Sequence, residues 1–89
     1  MYLFNIDTEL EEKLVKLSKK DKITFEAVLK KIDEIVQIQD ITHYKNLRSP
    51  MQEFKRVHIR GSFVLLFRYN EQTKKIEFID LAHHDLVYK

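Results

Sequence analysis

Residues 54–60 read FKRVHIR and run straight into Gly61, the one glycine of the chain. Side chains on an extended backbone alternate between two faces. A strand over 54–60 therefore sets Arg56, His58 and Arg60 on one side and Lys55, Val57 and Ile59 on the other. Guanidinium stays charged at any relevant pH and grips phosphate through paired hydrogen bonds, while imidazole, with a reference pKa of about 6.5, is suited to carrying a proton near neutrality. Two arginines flanking a histidine form a stripe that can hold a phosphate and move a proton beside it. The alternative is plainer: the same charges keep the surface soluble and pair with acidic helices.

The net charge of +2 conceals where the cations lie. Residues 1–42 hold nine acids against seven lysines, residues 43–69 hold six cations against one acid, and residues 70–89 hold four acids against three lysines. All four arginines, Arg48, Arg56, Arg60 and Arg68, fall in the middle segment, alongside Lys45 and Lys55. Lysine is scattered along the chain and arginine is not, which directs attention to phosphate recognition around 43–69.

The elements that must carry this segment follow from periodicity. An 89-residue chain with 44% apolar and 34% charged residues fits a single domain, residues 1–89, with one core. MYLFNI at the start is short, aromatic and β-branched, and Asp7-Thr8 ends it; Thr8 and Glu11 then offer a capping box for a helix that carries Leu10, Leu14 and Leu17 and ends near SKKDK. A second helix is predicted from about Thr24 to Gln37, with Phe25, Val28, Leu29, Ile32, Ile35 and Val36 as its apolar stripe. Past the Pro50 connection the period becomes two, giving strands at 54–60, 62–69 and 75–81, joined by the RGS and NEQTK turns. SFVLLFRY is nearly all apolar and reads as the central strand. The expected fold is α+β, in the order β-α-α-β-β-β: an N-terminal strand, then a helical hairpin packed on a mostly antiparallel twisted sheet.

Several classes are disfavoured. There is no cysteine for a disulfide, a thiolate nucleophile or a cysteine-ligated zinc site. The longest apolar run, FVLLF at 63–67, is far below the roughly 20 residues of a membrane helix. MYLFNID carries no basic leader or cleavage pattern, so a cytoplasmic protein without membrane association is expected. His43, His58, His83, His84 and Asp85 contain no recognised ligand spacing, so neither metal nor cofactor is expected.

The element order, together with YKNLRSPMQEFKRVHIRGSFVLLF and the ending IDLAHHDLVYK, resembles the RelE/ParE superfamily of bacterial and archaeal toxins over essentially the whole chain. Its features here are Tyr44 to Arg48, the aromatic and alternating basic strand Phe54 to Arg60, a hairpin into an apolar strand, and His83 to Tyr88. The RelE branch of the resemblance implies an endoribonuclease of a type II toxin–antitoxin system that enters the ribosomal A site, cuts messenger RNA and is silenced by a cognate antitoxin. The ParE branch implies a gyrase poison that cuts no RNA. A catalytically inactive RNA-binding relative is the remaining reading.

Position by position, the resemblance sets Arg56 and His58 where RelE-like toxins carry two basic residues facing RNA, and Tyr88 at their C-terminal tyrosine. His84 stands where an arginine is common, and some RNA-cutting relatives use a histidine near this end. RelE itself has an arginine after the aromatic of the next strand; here Phe63 is followed by Val64. The active face implied is Arg56, His58, Arg60, His84 and Tyr88, with Lys45, Arg48, Lys55 and Arg68 steering the RNA backbone. Metal-free cleavage by the 2′-hydroxyl needs only a base, an acid and positive charge on the phosphorane-like transition state, which histidine and arginine supply. His83 and His84 are adjacent and face opposite ways on extended backbone, so one of them, His84, is favoured. Tyr88 is open to three readings, a general base, a stacking platform for an unpaired base or a frayed end, of which stacking requires the fewest assumptions. The groove between helices and sheet is the expected seat of an amphipathic antitoxin helix, whose chain also covers the basic face.

Overall fold

The computed structural model describes residues 1–47 and 53–87. Its elements are β1 (Leu3–Ile6), α1 (Thr8–Lys20), α2 (Lys22–Gln37), a 3-10 turn (Ile41–His43), β2 (Lys55–Ile59), β3 (Phe63–Asn70), β4 (Lys75–His83) and α3 (His84–Val87). The strands form one sheet in the order β1-β4-β3-β2, antiparallel throughout except that β1 runs parallel to β4. This is the α+β arrangement that the periodicity predicts. Among the described residues, no helix is long and apolar enough to cross a membrane.

Aspartates, not threonine, open the long helices. Asp7 caps α1 by accepting the Glu9 N–H, and Thr8 is already helical. Asp21 closes α1 and opens α2: its backbone N–H donates to Leu17 O, and its carboxylate accepts the Thr24 N–H at 3.1 Å and the Thr24 hydroxyl at 2.6 Å. The second helix therefore starts at Lys22, ahead of the expected Thr24. These bonds from Thr24 hold the Asp21 carboxyl below the usual carboxylate range.

The helices bury one face of the sheet. Leu10 and Leu14 of α1 and Val28, Ile32 and Ile35 of α2 pack on Ile59, Leu65, Phe67, Ile76, Phe78 and Leu81. Along β4, Phe78 and Leu81 are three residues apart yet share this core, which strict alternation forbids. The pairing slips opposite the Leu66/Phe67 step, Leu66 facing Asp80 and Phe67 facing Phe78, and the extra residue of the bulge re-phases the strand. Leu29 departs from its expected place in the core stripe: it is 43% exposed, on the side of α2 turned toward Met1 and Phe4.

Two stability outcomes follow. Phe67 is fully buried and touches both Tyr44 and Phe78 ring to ring, so Phe67→Ala costs about 3–5 kcal/mol in urea unfolding, against little change for the exposed Leu3→Ala. For Asp21 the folded pKa lies below the unfolded one, so its stabilisation is present above the unfolded value, about 3.9, and is lost as pH falls through the folded value. Asp21→Asn is therefore less stable than wild type at neutral pH and loses less on acidification, measured as thermal midpoint against pH.

Candidate active site

β2 and β3 bury alternate residues beneath the helices, so the residues between them face the other way. Arg56 pairs across the ladder with Leu66, and His58 with Val64. At the end of β4, His83 and His84 part. His83 lies edge-on to Phe63 at 6.0 Å, whereas the His84 ring meets His58 with centroids 5.3 Å apart and planes tilted by 34°. The His84 backbone N–H donates to Ser62 O at 2.8 Å, which ties the start of α3 to the β2–β3 turn and fixes the approach of the two imidazoles. Arg56 is half-buried, and its own N–H donates to Lys45 O.

Arg60 does not continue the stripe. β2 ends at Ile59, and Arg60 and Gly61 take φ of 54° and 80° to make the turn. Alternation stops where the backbone turns left-handed, and the Arg60 charge instead acts on Asp21 at the start of α2. The strand therefore presents Arg56 and His58 together, with Arg60 displaced to the corner.

The remaining cations are engaged or remote. The Lys55 ammonium donates to Tyr44 O and Asn46 Oδ1, both at 3.0 Å, and helps bind residues 44–47 against β2, where Asn46 bridges Lys55. Arg68 lies 3.4 Å from a Glu77 carboxylate oxygen, with its guanidinium 5.8 Å above the Phe54 ring. It is four residues along β3 from Val64, roughly 14 Å at strand rise, and so stands well away from the imidazole pair. Lys45 is exposed. Arg48 and Tyr88 lie outside the described residues.

Between the cations the face is apolar and covered. Leu47, Val64 and Leu66 are buried and Phe54 packs on them, a second small core on the side away from the helices. Val64 is 0% exposed, so the position where the resemblance leads one to look for an arginine belongs to this core. Two contributors had no role assigned from sequence. Ser62 acts through a backbone carbonyl, which leaves no residue-type signal. Asp85 enters the sequence reading only within the histidine–aspartate group that has no recognised metal-ligand spacing.

The chain is 51% identical over 89 residues to the "putative toxin RelE4" of Methanocaldococcus jannaschii, covering 100% of this chain and 93% of that one. No family model matches it. Among solved structures it resembles the toxin–antitoxin complex RelBE2 of Mycobacterium tuberculosis, with TM-score 0.72, 19% identity and coverage of 93% of this chain and 91% of the other. It also resembles the YoeB/ParE toxin of Agrobacterium tumefaciens, with TM-score 0.74, 12% identity and coverage of 92% and 98%. At such identities the two structures establish the shared fold.

The burial of Val64 yields a direct outcome. Val64→Arg forces a cation among Leu47, Leu66 and Phe54, at a cost of about 2–4 kcal/mol in chemical unfolding.

Proposed function

Because this chain belongs to the RelE/ParE toxin superfamily, we propose that it is the toxin of a type II toxin–antitoxin pair and that it cuts messenger RNA on the ribosome. The observation that carries the nuclease reading is the His58–His84 contact at 5.3 Å, with Arg56 next along the same strand face. In the proposed reaction the 2′-hydroxyl oxygen attacks the adjacent phosphorus while one imidazole takes its proton. The P–O5′ bond then breaks as the other imidazole protonates the leaving oxygen. The products are a 2′,3′-cyclic phosphate and a 5′-hydroxyl, with no net change in protons. Arg56 hydrogen-bonds the non-bridging oxygens, most strongly when charge builds on them in the transition state. Tyr88 is the proposed stacking platform, and Arg60, Lys45 and Arg48 are proposed to steer the RNA backbone outside the reacting phosphate. Lys55 and Arg68 are assigned a lesser share, since each already holds a protein oxygen.

The partner proposed is an antitoxin. An apolar groove of about 300 Å³ runs between α2 and β1, lined by Met1, Phe4, Ile6, Leu29, Ile32 and Val36. Met1, Phe4 and Leu29 are exposed there, which suits the apolar face of an amphipathic helix.

One observation favours a second reading. With Val64 buried in the apolar cluster, the face has one fewer cation than the RelE pattern implies, which fits a ParE-like gyrase inhibitor or an inactive RNA-binding relative. A translation extract separates these. Wild type produces ribosome-dependent messenger ends, and the Arg56→Ala/His58→Ala variant reduces them by at least about 100-fold, the typical worth of one positioned acid or base. Intact messenger with blocked DNA supercoiling supports the gyrase reading instead.

A further inference from the structure

We propose that Asp85 is a positioning residue for His84, fixing its imidazole with the proton on Nδ1 so that Nε2 is the atom that exchanges a proton with RNA. The proposal rests on the nuclease reading of the His58–His84 pair and adds a third member to it.

Asp85 sits in the first turn of α3, with its carboxylate oxygens 3.8 Å from His83 Nδ1 and 3.7 Å from His84 Nδ1. The two imidazoles are not equivalent to it. The Asp85 backbone N–H donates to His83 Nδ1 at 3.3 Å, so that nitrogen presents a lone pair and neutral His83 carries its proton on Nε2. A lone pair repels a carboxylate. A proton on His84 Nδ1 attracts it, and that tautomer leaves the His84 acceptor lone pair on Nε2. The 3.7 Å separation is longer than a direct hydrogen bond, so the proposed interaction requires a bridging water or a small side-chain rotation. Because Asp85 is largely exposed, solvent screens the attraction and the effect is one of tautomer and orientation.

Contacts among the described residues restrain His84. Its backbone is held by Ser62 O at 2.8 Å and its ring faces His58 at 5.3 Å. Nδ1–H directed to Asp85 biases the rotation of the ring. A carboxylate used in this way orients a proton carrier without itself taking the proton.

The test compares wild type with Asp85→Asn, which removes the charge but keeps the shape, and Asp85→Glu, which restores the charge. Long-range proton–nitrogen correlation spectra of the imidazoles at neutral pH are expected to show His84 with its proton mainly on Nδ1 in wild type. Asp85→Asn shifts it toward Nε2, Asp85→Glu returns it, and the thermal midpoint stays unchanged. Messenger cleavage falls roughly tenfold in Asp85→Asn and recovers in Asp85→Glu. A His84 proton on Nε2 in wild type, a tautomer indifferent to Asp85→Asn, or cleavage unaffected by it overturns the proposal. If wild type cuts no messenger while the tautomer still responds to the charge, the positioning by Asp85 stands and the nuclease reading fails, so the two failures are separable.

Discussion

The burial of Ile59, Leu65 and Phe67 beneath the two long helices governs the chemistry available to this molecule. A strand has only two faces, and a slip of one residue exchanges them. Once those side chains are committed to the core, Arg56 and His58 on β2 have nowhere to go but the opposite face. The register carries this constraint, and the fully buried Phe67, edge-on to Tyr44 and tilted against Phe78, helps to fix it.

Two local irregularities then complete the face. The bulge in β4 re-phases the strand so that Leu81 still reaches the core, and a few residues later the chain delivers His84 rather than His83 beside His58. The left-handed turn at Arg60 and Gly61 brings Ser62 to where its carbonyl receives the His84 N–H. Gly61 accepts its φ of 80° without steric penalty; Arg60 at 54° does not, and the cost falls on a residue that also exchanges its place in the stripe for a position near Asp21. A strict ladder in β4 would put the two imidazoles on a different relative footing.

The regular parts of this structure were legible in the sequence for a physical reason. Helical and strand periodicities are written in the spacing of Leu10 and Leu14, or of Val57 and Ile59, because burial acts on one face at a time. The element order and the Arg56–His58 alternation follow from such spacing, whereas His83 and His84 part because the strand ends at the first and a short helix begins at the second, not because both lie on extended backbone. What escaped was whatever depends on single residues acting through the backbone or on distant pairing. The parallel docking of β1 on β4, the bulge, the short α3 and the capping by Asp7 and Asp21 belong to that kind. Alternation alone puts Arg60 in the stripe because it has no means of announcing where a strand stops, here at Ile59. Val64 registered as a missing cation, whereas its burial with Leu47 and Leu66 makes it part of a second core.

In the proposed function, a pair of imidazoles and an arginine on this face direct an RNA 2′-hydroxyl at its own phosphate. The most direct measurement is the chemistry of the cut ends on a ribosome-bound messenger, compared with the same messenger carrying a single 2′-deoxynucleotide at the cut site. The expected products are a 2′,3′-cyclic phosphate facing a 5′-hydroxyl, with no cut at the deoxy position. A 5′-phosphate product, or undiminished cutting at the deoxynucleotide, contradicts the proposed function.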